Sequence, residues 1–214
     1  MYILRIPSVI QNLFSSRIWR INTQEKVLFL TFDDGPHPQA TTFVLDQLRQ
    51  FNAKATFFCI GKNVKSFPDI YSRILAEGHK TGNHTYDHLN GWKAKDREYL
   101  ANIAEAKIYI DSELFRPPYG RITNFQVRQL KLPAYGLKTV MWTILSGDFD
   151  PGITKEKCLA NVALKAKAGD IIVFHDSEKC FEKLQFALPR VLTYFTEKGY
   201  RFESLAQVKK NGPG

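Results

Sequence analysis

Cysteine is scarce in this 214-residue chain: Cys59, Cys158 and Cys180 are widely spaced and form no CxxC pair. So odd and scattered a set argues against a disulfide framework or a thiolate metal centre, and reads as free thiols, mostly in the core. Long apolar runs are missing as well, and no segment reaches the uninterrupted length of a membrane span. The opening stretch, MYILRIPSVIQNLFSSRIW, is apolar but broken by Arg5, Pro7, Gln11 and Asn12, without the charged lead or small-residue cleavage site of an export signal. We read residues 1–24 as an amphipathic extension packed on a single domain of residues 25–214, and expect the cytoplasm over export. No long basic block accompanies the net charge of +9, so no nucleic-acid partner is expected; the surplus suits an acidic polymer, an anionic surface or solubility alone. Repeats, low-complexity tracts and linkers are also lacking, and neither a stable protein partner nor an oligomer is expected.

What is present is alternation. KVLFLTF (26–32), TTFVLDQLRQF (41–51) and KATFFCI (54–60) read as strand, helix and strand, with Val44, Leu48 and Phe51 on the buried side of the helix. Helices follow at 68–78, 96–112, 123–131, 155–167 and 182–198; strands are expected at 138–145 and 170–176, with shorter extended pieces at GHKTGNH and YRFESL. Strands apolar on both faces, each followed by a helix, indicate parallel pairing with right-handed crossovers. Both an open sheet and a barrel produce this pattern. A dinucleotide fold does not fit, because DDGPHP and not a glycine-rich turn follows the first strand.

The unusual polar residues sit just past strand ends: Asp33 and Asp34, His84 and His88, Arg116, Asp148, and His175. In a barrel of parallel strands those ends share one face, where such enzymes place their sites. HTYDH sets His84 and His88 four residues apart, so one helical turn would aim both imidazoles at one ion; a pair this close also arises by chance among five histidines. A carboxylate from Asp33 or Asp34 would complete a set of two histidines and one acid. Adjacent carboxylates raise each other's pKa unless a cation lies beside them, so one aspartate could bind the ion while its neighbour takes a proton from water. The alternative is a capped turn, since Asp before Gly-Pro is common turn chemistry. In FRPPYG, Pro117 and Pro118 stiffen the loop beside Arg116, which could hold an aspartate ionised, and beside Tyr119, whose N–H could meet an oxyanion. His175 is either a satisfied core histidine or, partnered by Asp148, a general acid.

In this order and at these separations, TFDDGP (31–36), HTYDH (84–88), RPPYG (116–120), the segment from Trp142 to Asp148 and VFH (173–175) resemble the polysaccharide deacetylases of carbohydrate esterase family four. The resemblance covers residues 27 to about 206. It implies an α/β fold, a distorted (β/α) barrel of parallel strands, and removal of acetyl groups from an N-acetylhexosamine glycan of the chitin or peptidoglycan type. By the same resemblance Asp33 is the base and Asp34, His84 and His88 hold a divalent metal, zinc before cobalt, nickel or manganese. Arg116 would orient Asp33, the Tyr119 N–H would face the oxyanion, and His175, supported by Asp148, would protonate the departing amine. Val173, Trp142 and Pro118 would contact substrate, with Trp92 and Tyr86 as further aromatic candidates. The chain departs from the family at Phe149, where tryptophan is usual, at Leu145, where a second acid often stands, and at Val173, where leucine is commoner. The alternatives are an O-acetyl esterase, a deacetylase of a small substrate and a non-catalytic sugar-binding homologue; an iron oxygenase would have no use for the Asp33 and His175 pair.

Overall fold

The computed structural model describes residues 3–205, so the last part of the expected domain lies outside the described residues. Among them, seven parallel strands run β5-β4-β3-β2-β1-β7-β6 in a curled sheet: β1 Val27–Asp33, β2 Thr56–Cys59, β3 Lys80–Asn83, β4 Leu114–Phe115, β5 Lys138–Thr139, β6 Ile144–Leu145 and β7 Ile171–His175. An eighth, β8 Arg201–Phe202, pairs with the start of β1. This is the distorted (β/α) barrel that the resemblance implies, one of the two architectures the alternation allows.

The two-residue period of β1 sorts its side chains between two cores. Leu28, Leu30 and Phe32 face the helices α2 (Ala40–Gln50), α7 (Lys155–Ala163) and α8 (Phe181–Glu197) in the larger cluster; Val27 and Phe29 enter the barrel with Phe58, Val140 and Ile171. Thr31 and Asp33, next on the inward register, meet Arg116. Every residue of β1 is buried, which is why the strand reads as a continuous apolar run. A third cluster joins Phe115 to Tyr99 and Ile103 of α5 (Asp96–Ala106) and to Val127 and Leu130 of α6 (Asn124–Leu130).

Three elements differ from the sequence reading. The strand expected over 138–145 is broken into β5 and β6, because the intervening carbonyls of Val140 and Met141 accept from Arg116 and cannot all serve a ladder. The helix expected to reach 112 ends at Ala106, where the chain tightens into three-residue turns. One short helix, α3 (Gly61–Ser66), is not anticipated; it fills the connection between β2 and the expected helix, α4 (Pro68–Ala76), which begins directly after it. Gly61 is required there, since a Cβ would lie 2.8 Å from the Tyr86 ring.

The amino-terminal residues, including α1 (Ser8–Leu13), meet the sheet where β5 and β6 fail to pair. Leu4 and Ile6 exchange backbone hydrogen bonds with Leu145 and Thr143, and Ile18 does so with Thr139 and Met141. Arg5 donates to the buried Asp170 at 2.6 Å. Ile21 bonds to Gly169, whose φ of +82° and lack of a Cβ allow the approach, because a Cβ would fall 2.1 Å from the Ile21 carbonyl. All three cysteines are free and buried. No described helix is long and apolar enough to cross a membrane.

Candidate active site

Strand register brings the polar residues together. Asp33 pairs across β1 with His175 on one side and Phe58 on the other, and Asn83, at the end of β3, pairs with Phe115. The next residues, His84 and Arg116, therefore leave their strands at the same end of the sheet. A cavity of about 260 Å³ opens there, lined by Asp33, Asp34, His84, His88, Tyr119, Trp142, Val173 and His175 among others.

Asp34 follows the strand at φ 82°, a left-handed conformation that turns its side chain from the line of β1. Its buried Oδ1 has no hydrogen-bond partner among the described residues, yet lies 3.2 Å from His88 Nε2 and 3.7 Å from His84 Nε2. His84 Nδ1 is 2.7 Å from the Arg116 carbonyl, which can only accept, so Nδ1 carries the proton and Nε2 keeps its lone pair. His88 Nδ1 meets the Tyr119 hydroxyl at 3.1 Å. An orphaned carboxylate oxygen facing two imidazole nitrogens, each ring fixed through its other nitrogen, is a donor set that could hold a divalent metal ion. Burial pushes His84 down to about 4, so it is neutral as a ligand must be. Burial would raise Asp34, but the contact with His88 and the charge of His175 hold it well below the usual carboxylate range.

HTYDH forms no helical turn. Thr85 and His88 have φ of 65° and 59°, and the loop hangs on side chains from elsewhere: Asn83 accepts from the Thr85 N–H, and Asn102 of α5 accepts from those of Tyr86 and Asp87. The two imidazoles still converge, with ring centroids 5.1 Å apart. Four of the five non-glycine residues with positive φ among those described, Asp34, Thr85, His88 and Tyr119, lie at this site. Such conformations persist only where the surroundings over-determine them.

Two buried ion pairs flank the metal-type set. Arg116, with no exposed surface, donates from Nη1 to Asp33 Oδ1 and to the Thr31 hydroxyl, both at 2.7 Å, and from Nη2 to the Met141 carbonyl at 2.9 Å; its guanidinium lies 4.0 Å over the Phe58 ring. Opposite, Asp148 takes His175 Nδ1 at 2.8 Å through one oxygen and the His175 backbone N–H at 2.7 Å through the other. Burial works against an imidazolium there, but the charge and hydrogen bond of Asp148, with Asp34 and Asp33 beyond, raise His175 to about 9. Phe149 sets its ring against His175, 5.3 Å between centroids, so the departure from tryptophan keeps an aromatic wall on the imidazole.

Tyr119 has φ 58° and lies between turn bonds from Gly120 N–H to Pro117 and from Arg121 N–H to Pro118, neither of which uses its own N–H. Val173, Leu145 and Trp142 supply apolar surface to the cavity lining. Pro118 does not line it: buried in the turn, it leaves that place to Pro117, one residue earlier. Tyr86 packs into the larger core against Tyr109, and exposed Trp92 stacks under Arg121, so neither lines the cavity. Two participants were not foreseen. Lys179 reaches the cavity rim, its Nζ 3.6 Å from Asp34 Oδ2, but a lysine in a charged stretch carries no motif. Asp176 accepts from the Gly35 N–H at 3.1 Å and the Thr41 hydroxyl at 2.5 Å, pinning the DDGP turn; its position directly after VFH was the available signal. A Cβ on Gly35 would strike that carboxylate.

Comparison with known proteins agrees with this geometry. The family described as polysaccharide deacetylase matches residues 20–140. A peptidoglycan-N-acetylglucosamine deacetylase of Bacillus cereus is 35% identical, the match covering 89% of this chain and 91% of that protein. A chitooligosaccharide deacetylase of Azorhizobium caulinodans is 34% identical over 73% of this chain and 77% of its own length. Among solved structures, the Bc1960 peptidoglycan N-acetylglucosamine deacetylase, crystallised with an N-hydroxybenzamide compound, superposes with a TM-score of 0.83 at 31% identity, covering 93% of this chain and 94% of that one. By that family match and by identity sustained over most of its length, the chain belongs to the polysaccharide deacetylases, hydrolases of carbohydrate esterase family four.

Proposed function

We propose that the chain removes N-acetyl groups from N-acetylhexosamine units of a glycan, releasing acetate, with peptidoglycan the favoured polymer and chitin oligomers the second. The observation that carries the reaction is the pairing of a buried Arg116–Asp33 couple with a buried Asp148–His175 couple on either side of Asp34, His84 and His88. The preference for peptidoglycan rests on the two relatives named for it. Peptidoglycan lies outside the cytoplasmic membrane, so this substrate speaks against the preference for the cytoplasm drawn from sequence.

Asp34, His84 and His88 would hold the metal, zinc first, through Oδ1 and the two Nε2 atoms. When bound, such an ion supplies Lewis-acid polarisation of the acetyl carbonyl and acidifies a water molecule. Asp33, aimed by Arg116, takes the proton of the attacking water. The Tyr119 N–H, outside the turn bonds around it, faces the oxyanion as the carbonyl becomes tetrahedral. Protonated His175 gives its proton to the nitrogen as the C–N bond breaks, and Asp148 stabilises the charge and fixes the ring. Val173 and Leu145 shape an apolar recess for the acetyl methyl, and Trp142 offers a face to the sugar.

Acetate release from peptidoglycan, N-acetylglucosamine oligomers and an O-acetylated glycan, with and without chelator, tests the reading. Chelator-sensitive release from the N-acetylated substrates is expected. Release confined to the O-acetylated glycan would replace the reading by the esterase alternative, and none from any substrate by the non-catalytic one.

A further inference from the structure

The reaction above makes no use of Cys180, which lies against its acid half. The residue closes the short 3-10 turn Glu178–Cys180 after β7 and is fully buried. Its Sγ, a carboxylate oxygen of Asp148 and a ring nitrogen of His175 all lie within 4.8 Å of one another, a second cluster separate from Asp34, His84 and His88. The Ser177 hydroxyl points at the same sulfur, 3.5 Å away. We propose that Asp148, His175 and Cys180 form a second, inhibitory site for a thiophilic divalent cation such as Zn²⁺ or Cd²⁺.

One sulfur, one imidazole nitrogen and one carboxylate oxygen are the donors that zinc-like ions accept, and bonds of about 2.0–2.3 Å bring tetrahedral ligands to about 3.5 Å from each other. The trio therefore has to contract by up to about 1.3 Å along its longest edge. The exchange balances. The ion displaces two protons, the thiol S–H and the Nδ1–H now shared with Asp148 Oδ1, and both leave to solvent. Before, carboxylate, imidazolium and thiol sum to zero charge; after, carboxylate, neutral imidazole, thiolate and the divalent cation also sum to zero. Burial of the site thus opposes the exchange less than it would opposes adding a bare charge. Burial, with the charge of Asp148, also pushes the thiol up to about 12, so without an ion Cys180 stays protonated and idle.

The consequence is a ceiling on metal. Ions of the class that Asp34, His84 and His88 accept would activate the enzyme at low concentration and inhibit it at higher concentration, because His175 ligated through Nδ1 is a neutral imidazole whose remaining Nε2–H is too weak an acid to protonate the departing amine. The inhibitory half rests on the reading of His175 as the acid; the binding half does not.

The experiment titrates enzyme already carrying one equivalent of metal with Cd²⁺, following bound metal by equilibrium dialysis, the thiolate-to-cadmium charge-transfer band in the ultraviolet, and acetate release. The wild type should take a second equivalent, develop the band and lose activity together. Cys180→Ala and Cys180→Ser should keep basal activity, show no band, and need about tenfold or more Cd²⁺ for the same inhibition, the scale on which losing a partner weakens a bound metal. Cys158→Ala, which removes the thiol on α7 near Asp148, should behave as wild type. A single equivalent with no band, or Cys180 variants inhibited at the wild-type concentration, would overturn the proposal. A second equivalent and a band without loss of acetate release would keep the site, remove its inhibitory role and count against His175 as the acid.

Discussion

Arg116–Asp33 and Asp148–His175 are made of the same parts in opposite order. In the first couple the cation is behind and the carboxylate faces the cavity; in the second the carboxylate is behind and the cation faces it. The rear partner is in each case fully buried. Arg116 is held by Thr31, Val140 and Met141 as well as Asp33, and a guanidinium does not lose its proton in proteins. Asp148 is fixed by two hydrogen bonds from His175. The front partner is thereby aimed for one role: Asp33 as a base, His175 as an acid. A fold that delivers parallel strand ends to one face needs only to choose which member of a pair to put in front.

The largest expected effect removes what stands between the couples. Chelation, or His84→Ala, should reduce acetate release to background with loss of bound metal, read by elemental analysis beside the assay. Asp33→Asn comes next: metal content should be retained while kcat falls by about 10²–10⁴-fold, the range for losing a general base. Asp148→Asn should lower kcat on a similar scale but leave a different mark. Asp148 raises His175 to about 9, so its neutralisation lowers that pKa, deprotonates the acid at a lower pH, and moves the alkaline limb of the kcat profile downward. An Asp148→Asn enzyme with an unmoved alkaline limb would break the symmetry drawn between the couples.

Much of this frame is legible in the sequence because it depends on local pattern. The run KVLFLTF is buried on both faces, as a central parallel strand must be, and the helical periods mark where the chain returns. The convergence of Asp33, His175, His84 and Arg116 also follows from strand ends alone. What sequence does not carry is whatever hangs on distant partners. The 138–145 stretch reads as one strand because nothing local says that Arg116 will claim two of its carbonyls. HTYDH reads as a helical turn because the side chains that hold it otherwise, Asn83 and Asn102, are ordinary amides at unremarkable positions. Tyr119 was singled out for its backbone, whereas its hydroxyl on His88 needs the left-handed turn that only the folded loop displays. Lys179 has no spacing to betray it, and Asp176 is marked only by its place directly after VFH.

Arg116→Lys probes the rear of the base couple with less violence than losing Asp33. A lysine keeps the charge but offers one ammonium where the guanidinium reaches Thr31, Asp33, Val140 and Met141 at fixed angles. Asp33 should then be misaimed, and kcat should fall by about 10²-fold with KM little changed, as small displacements of a catalytic group do.

Tyr119→Phe is the mildest change, and it asks whether the metal ligands have rear partners of the same kind. The hydroxyl contacts His88 Nδ1 from the cavity side, where Tyr119 is 62% exposed, while His84 is braced by a buried carbonyl. Removing it should weaken metal affinity by about 10-fold, the low end for an outer partner of a ligating histidine, with kcat restored at saturating metal. Competition with a chromogenic chelator gives the affinity and acetate release the restoration. A kcat that stayed low at saturating metal would mean the hydroxyl touches substrate, and the bracing of His88 would have to come from its strained backbone at φ 59° instead.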